Sequence, residues 1–331
     1  MRIAVVILNW NGKELLERFL PSVVSNSLEL ATIYLADNAS TDDSLAYVKQ
    51  AFPSVNIIAM PENTGYAGGY NQSLSGLTED LFILLNSDVR VTEGWLDPIK
   101  KAFVNDNTLG AAQPKILDVN NPEYFEYAGA AGGFIDAYGY PYCRGRIFES
   151  IEKDHGQYDQ VTEAFWASGA CLCIRRDAFN LMGGFDTDFF AHMEEIDLCW
   201  RLRHYGFTIG VITQSKVYHL GGGTLPNMHA KKTYLNFRNS LFILVKNVAG
   251  FKVGWIIFLR LILDGIAGFR FLLTGKPAHC SAVIRAHIDF YRGASAMRKK
   301  GSLYRKRNKY FKTRSIVWQY FIARKREFGK L

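Results

Sequence analysis

The chain has 331 residues, of which 48% are hydrophobic and 21% charged. This is globular composition with room for one large core and an appendage, and it excludes a charge-dominated disordered chain. The formal net charge of +8 is uneven: residues 285–331 hold 15 Lys and Arg against Asp289 and Glu327, a net +13, which leaves the rest at −5. A mildly acidic body with a strongly basic tail suits an anionic surface, either membrane or nucleic acid.

No secretory signal is visible. The first apolar run, Ile3–Leu8, is short, ends in Asn9-Trp10-Asn11-Gly12, and reads as a buried first strand. The five cysteines (Cys143, Cys171, Cys173, Cys199 and Cys280) are odd in number and lack metal-site spacing. They read as reduced thiols of a cytoplasmic protein.

Up to about residue 115, apolar runs alternate with helical patterns. Ile3–Leu8, Thr32–Ala36, Val55–Ala59, Leu81–Leu85 and Gly110–Gln113 are predicted strands, with helices near 13–26, 42–51, 66–77 and 93–105. This is the βαβ signature of a parallel sheet covered on both faces. Ser40 followed by Asp43 predicts a helix start. Residues 115–162, rich in Gly, Tyr and Pro, read as loops and short strands. A strand at Ala170–Ile174, a helix over 193–205 and two short strands near 208–219 follow, and then a flexible loop at Gly221-Gly222-Gly223. From about Lys231 the pattern turns to long helices, which divides the chain into a unit over 1–230 and a helical, basic extension over 231–331. Phe251–Leu273 is strongly apolar but contains Lys252, Arg260, Asp264 and Arg270. A spanning helix would bury those charges at a few kcal/mol each, so a helix lying in the membrane interface fits better. The competing reading is a helix buried in the globular body.

Five constellations carry chemistry. Asp37-Asn38-Ala39-Ser40 follows the second strand, where ligands of doubly wound sheets bind. A carboxylate there accepts from a nucleobase imide N–H or a ribose hydroxyl, or else makes an Asx-turn. Asn63-Thr64-Gly65-Tyr66-Ala67-Gly68-Gly69-Tyr70-Asn71 offers small residues and helix-start N–H groups for close ligand approach; a plain turn is the alternative. Leu84-Leu85-Asn86-Ser87-Asp88 delivers hard oxygen donors two residues apart at a strand end, which suits Mg²⁺ or Mn²⁺ held with a diphosphate. Glu194, Glu195 and Asp197 crowd one helix start, where the helix dipole favours them and one can serve as a general base. His219, in Tyr218-His219-Leu220, is structural on its own and gains meaning only beside the others.

Taken in order, these motifs resemble family 2 glycosyltransferases, in particular the rhamnosyltransferase-like and galactofuranosyltransferase-like branch. The matching elements are Val6-Ile7-Leu8-Asn9-Trp10-Asn11-Gly12, Asp37-Asn38-Ala39-Ser40, Glu62-Asn63-Thr64-Gly65-Tyr66, Leu85-Asn86-Ser87-Asp88, Ser168-Gly169-Ala170, Gly183-Gly184-Phe185-Asp186 and Glu194-Glu195-Ile196-Asp197-Leu198-Cys199-Trp200-Arg201. The resemblance spans roughly residues 1–225 and implies a GT-A fold, an α/β doubly wound mixed sheet, followed by the helical extension. It implies that Asp37 reads uracil or thymine, with Asn9, Asn11, Asn63, Gly65 and Asn86 at the nucleotide. Asp88 is then the metal-binding Asp of the D-x-D motif, joined by His219. Glu195 is the base, with Glu194 as its substitute, and Trp166, Gly169 and Asp197 lie on the acceptor side. Asn86 departs from the first Asp of D-x-D, and Glu195 stands where Asp is commoner.

The implied reaction is a single displacement that inverts the anomeric centre. It moves a sugar from a UDP- or dTDP-sugar to a hydroxyl of a glycan or lipid-linked acceptor, with Mg²⁺ or Mn²⁺. The alternatives are a sugar nucleotidyltransferase, disfavoured by a single Lys13 after the first strand, and a non-catalytic sugar-nucleotide-binding protein. The sequence further predicts that residues 251–331 hold the protein to the cytoplasmic face of an anionic membrane. Specific nucleic-acid binding is not expected, although Tyr304, Tyr310, Phe311 and Trp318 interleave the tail's charges.

Overall fold

The structure, a computed structural model, describes residues 1–221, 230–304, 306 and 309–331. The first half runs β1 (Ile3–Asn9), α1 (Lys13–Ser27), β2 (Ala31–Asp37), α2 (Ser44–Ala51), β3 (Asn56–Ala59), α3 (Gly65–Leu74), β4 (Leu81–Asn86), β5 (Val89–Val91), α4 (Leu96–Asn105) and β6 (Leu109–Asp118). Four short strands follow, β7 (Gly133–Ile135), β8 (Pro141–Cys143), β9 (Arg146–Ile147) and β10 (Ser150–Ile151). Then come β11 (Cys171–Arg175), α5 (Arg176–Leu181), α6 (Glu194–Tyr205), β12 (Thr208–His219), α7 (Ala230–Asn247), α8 (Lys252–Leu273) and α9 (Pro277–Gly301).

The main sheet has the order β3-β2-β1-β4-β11-β6-β12-β5, and β7–β10 form a second, small antiparallel sheet. Strands β3, β2, β1 and β4 are mutually parallel, as the βαβ pattern requires. The sheet as a whole is mixed, because β11 inserts antiparallel between β4 and β6. The two short strands expected near 208–219 are one long strand with an irregularity between Ile212 and Lys216. Gly222 and Gly223 of the expected glycine loop lie outside the described residues.

Period-two alternation splits β1 between two cores: Ala4 and Val6 face one side, and Ile3, Val5 and Ile7 face the other. The second side is filled by α1 and α4 through Leu16, Leu20, Ile99 and Phe103. On the first side lie α3, α5 and α6, and the C-terminal helices join them there: Leu241, Phe242, Phe290, Ile316 and Tyr320 share one core with Trp200 and Ile196. Full burial of each such side chain contributes on the order of 1.5–3 kcal/mol. The basic C-terminus folds back onto this body. Tyr310 packs on Trp200 at 4.8 Å, Phe328 on Phe134 at 5.3 Å, and the Ile316 N–H donates to Asp136 at 2.9 Å. Among the described residues no helix is long and apolar enough to cross a membrane, and all five cysteines are unpaired.

Candidate active site

Register places the polar strand ends side by side. Asn9 pairs with Asp37 across β1 and β2, and Leu8 pairs with Asn86 across β1 and β4. The Asn9 amide donates to Asp37 at 3.0 Å and to the Ser40 hydroxyl at 3.1 Å, and the Ser40 N–H donates to the other Asp37 oxygen at 2.9 Å. Asn11, at φ 49°, accepts from the Thr41 N–H at 2.7 Å. Ser40 thus serves the Asn9–Asp37 turn, and the first turn of α2 is held instead by Asp42, which accepts from the Ser44 N–H at 3.1 Å. Asp37 is only 2% exposed, yet a carboxylate with one donor on each oxygen retains acceptor capacity. Asn9 Oδ1 is buried with no hydrogen-bond partner.

The Asn63–Gly65 turn is tied to the same ledge. Asn63 accepts from Asn38 at 3.0 Å and from the Gly65 N–H at 2.9 Å. Gly65 sits at φ +73°, and a Cβ there would lie 2.7 Å from the Phe190 carbonyl, so only glycine fits. That carbonyl accepts from the Tyr66 N–H at 3.0 Å, which joins the start of α3 to the loop before α6. The Tyr66 hydroxyl donates to the Gly169 carbonyl at 2.8 Å.

Asp88, in the turn after β4, meets the end of β12 because His219 pairs with Val89. His219 Nε2 lies 3.1 Å from Asp88 Oδ1, and Nδ1 lies 3.2 Å from Glu126 Oε2, with all three side chains buried. Burial opposes the imidazolium, but Glu126 and Asp88 outweigh it and raise the His219 pKa to about 10. The 3.1 Å separation of Asp88 and His219 equals that of adjacent ligands on an octahedral cation with bonds of about 2.1–2.2 Å. Asn86 is half-buried beside them. No cluster of three or more His, Cys, Asp or Glu among the described residues forms a self-sufficient cation cage. At a pKa of about 10 His219 is an imidazolium facing Asp88 and Glu126, so it would have to give up its Nε2 proton to join Asp88 on an ion completed by substrate phosphates. Glu126 lies in the aperiodic 115–162 stretch, where no sequence signal marked it.

Glu194 and Glu195 open α6, a helix with acids in its first turn, Arg203 and His204 in its last, and Gly206 as a left-handed cap. Phe190, His192 and Met193 before it all have positive φ, of 63°, 69° and 74°. Non-glycine residues there store backbone strain, a feature common at functional sites. Asn239 of α7 holds this loop by donating to the Phe189, Ala191 and His192 carbonyls at 3.0, 3.0 and 2.7 Å. Burial raises the Glu195 carboxyl to about 7, and burial with the neighbouring Glu195 charge raises Glu194 well above the usual range. One oxygen of each is buried without a hydrogen-bond partner. Glu194 is 4% exposed, whereas Glu195 is half-buried, so Glu195 is the more accessible of the two carboxylates.

Two positions depart from the acceptor-side expectation. Asp197 is fully buried, bonded to Arg201 at 2.8 Å, Lys246 at 2.8 Å and Asn247 at 2.9 Å. Burial would raise its pKa, but Lys246 and Arg201 prevail and lower it to about 2. Trp166 is buried with its indole N–H donating to the Phe134 carbonyl at 2.9 Å. Both side chains are committed to the core. Gly169 stays half-buried beside Tyr66.

The sequence profile of Glycosyl transferase family 2 matches residues 4–180. The chain belongs to that family. It is 28% identical over 231 residues to N-acetylglucosaminyl-diphospho-decaprenol L-rhamnosyltransferase of Mycobacterium tuberculosis, a match covering 66% of this chain and 75% of the relative. It is 21% identical to dTDP-rhamnosyl transferase RfbF of Shigella flexneri, over 63% and 68% of the two chains. Among solved structures, Staphylococcus aureus TarS 1–349 with UDP-GlcNAc superposes with a TM-score of 0.56 at 13% identity, covering 91% of this chain and 89% of that one. GalNAc-T7 with UDP, GalNAc and Mn²⁺ gives 0.55 at 19% identity, covering 66% of this chain and 43% of that one. The fold is GT-A, and the family 2 chain is a nucleotide-sugar glycosyltransferase.

Proposed function

We propose that this glycosyltransferase is metal-dependent and inverting. In this reading it moves a deoxyhexose such as rhamnose from a dTDP- or UDP-sugar onto a hydroxyl of a lipid-linked glycan. The observation that carries the reaction type is Glu195: a half-buried carboxylate with an unpartnered oxygen and a pKa of about 7, suited to take a proton from an attacking hydroxyl at neutral pH. No side chain is needed as a covalent nucleophile, so attack opposite the leaving group inverts the anomeric centre.

The other assignments follow from placement. Asp88 and His219 would hold Mg²⁺ or Mn²⁺, which supplies positive charge to the departing diphosphate. Asp37, fixed by Asn9 and Ser40, presents acceptor capacity for a pyrimidine imide N–H. Asn9, Asn11, Asn63, Gly65 and Asn86 shape the nucleotide ledge. The relatives' names support rhamnose, and one of them supports a polyprenyl-diphosphate acceptor. Family membership and the Glu195 environment weigh against a nucleotidyltransferase and a mere binding protein. The test is nucleoside diphosphate release from a panel of dTDP-, UDP- and GDP-sugars with Mn²⁺ or Mg²⁺. Release from dTDP- or UDP-rhamnose is expected, and turnover confined to GDP-sugars would refute the donor assignment.

A further inference from the structure

Helix α8 is inverted relative to a helix that faces water. Its inward stripe, Ile257, Arg260, Asp264 and Gly268, is buried. Arg260 pairs with Asp264 at 3.1 Å and donates to the Tyr138 carbonyl at 2.8 Å and the Ser240 hydroxyl at 2.7 Å. Asp264 also accepts from the Tyr140 hydroxyl at 2.6 Å and has His287 Nε2 at 3.0 Å. The helix's internal charges thus face the protein. Its outward stripe, Trp255, Phe258, Ile262, Ile266 and Phe269, recurs at helical spacing and is 48–64% exposed.

Single exposed apolar residues are ordinary on soluble proteins, but a contiguous stripe of this length marks an interaction surface. The charged side chains exposed on α8 are Lys252 and Arg270, one at each end, and both are basic. Arg270 lies over the Phe321 ring at 5.6 Å, which makes the exposed Trp318, Phe321 and Ile322 continuous with the end of α8.

We propose that the outer face of α8, extended by the Trp318–Ile322 turn, docks into the interfacial layer of an anionic lipid bilayer. Aromatic and aliphatic side chains enter the boundary between headgroups and acyl chains, and basic ends meet anionic headgroups. A spanning arrangement is excluded by the committed Arg260–Asp264 network on the opposite stripe. A second copy is a poorer occupant, because two-fold packing of α8 on itself sets Lys252 and Arg270 against the same basic ends. The small sheet touches both this face and the cleft: Phe148, between β9 and β10, packs on Phe321 at 5.2 Å, and Arg146 of β9 donates to the carbonyl of Tyr127, next to Glu126. That link bears on the lipid-linked acceptor proposed above, but the docking does not depend on it.

The test is flotation of the full-length protein with phosphatidylcholine vesicles, with and without phosphatidylglycerol. The native protein is expected to float best with phosphatidylglycerol and less in high salt. The quadruple variant Phe258→Ser, Ile262→Ser, Ile266→Ser, Phe269→Ser should lose roughly tenfold or more of the floated fraction at unchanged circular dichroism. Nucleoside diphosphate release onto a water-soluble acceptor, read in parallel, should be unchanged, so failure of docking and failure of the transfer reading register in different assays. Should that variant misfold, Trp255 fluorescence is the second readout: a blue shift on adding vesicles to native protein, diminished in Trp255→Phe. A native protein that floats with neither vesicle, a folded quadruple variant that floats like native, or an emission that does not move overturns the proposal. So does a native dimer that the variant converts to monomer, since a second copy then covers the face.

Discussion

Replacing Glu195 by Gln separates two effects that one carboxylate carries. Burial at the start of α6 raises Glu195 from 4.5 to about 7, while Glu194 beside it is held higher still. The pair therefore gives up its first proton near neutral pH. His192, lowered by burial to about 4, and Tyr66, raised by burial, stay neutral across this range. Because the folded pKa exceeds the unfolded one, Glu195's contribution to stability is complete below pH 4.5 and is lost as pH rises through about 7. The gap corresponds to roughly 3 kcal/mol at 1.36 kcal/mol per pH unit. Glutamine is neutral throughout, so Glu195→Gln should be more stable than the native protein at pH 8 by up to about 3 kcal/mol, and no more stable at pH 4. Urea unfolding at the two pH values reads this difference. The same variant lacks the base, so turnover should fall about 100- to 10,000-fold at unchanged donor affinity. In the native enzyme kcat/KM should rise about tenfold from pH 5 to 6 and level off above 7. Parallel stability curves for the two proteins, or full turnover in the variant, would refute the reasoning. If Glu194→Gln alone is dead, the base is Glu194.

Other outcomes follow from the same geometry. Asp88→Ala and His219→Ala should each weaken Mn²⁺ binding by tenfold or more, roughly, and abolish metal-stimulated turnover; electron paramagnetic resonance of free Mn²⁺ measures the binding directly, and native-like titrations would remove these residues from the metal site. Lys246→Met removes the cation shared by Asp186 at 2.7 Å and Asp197 at 2.8 Å. Since Lys300 and Arg201 remain on those carboxylates, the loss should sit at the low end for a broken buried pair, about 3 kcal/mol by urea unfolding; less than about 1 kcal/mol would mean the remaining partners suffice. Thermal shift should favour dTDP and UDP over GDP, and Asp37→Ala should erase that preference; a stronger shift with GDP contradicts the role given to Asp37.

The parallel half of the fold was legible because apolar runs of strand length alternate with amphipathic helices and end in polar turns. Asn9, Asp37, Asn86 and Asp88 were marked as candidates for the same reason, since each stands at or just past a strand's carboxyl end. The insertion of β11 was not legible as antiparallel, because direction leaves no trace in an apolar run such as Cys171–Arg175. Glu126 was missed because no periodicity frames it. Asp197 and Trp166 sit inside motifs that read as functional, but their polar atoms are engaged by Lys246, Arg201 and the Phe134 carbonyl, partners distant in sequence. The Arg260–Asp264 pair was visible as an i,i+4 couple; that it points inward depends on Tyr140, Ser240 and His287.

Those distant partners change what the C-terminal helices are for. The loop from Phe190 to Met193 places three non-glycine residues at positive φ, at a cost of about 1–3 kcal/mol each. Such a conformation persists only when its surroundings over-determine it. Asn239 supplies three hydrogen bonds to that loop, and Lys246 and Asn247 fix Asp197 one turn further along α6. All three side chains belong to α7, which packs along α9, and α9 packs against α8. The bundle that carries the outward apolar face of α8 therefore also supports, through α7, the turn at which burial raises Glu195 toward neutrality. Removing α7 would take away the supports of the Glu194–Glu195 turn, whereas, among the described residues, the outward side chains of α8 make no bond to it, so the bundle separates a supporting inner helix from a surface helix.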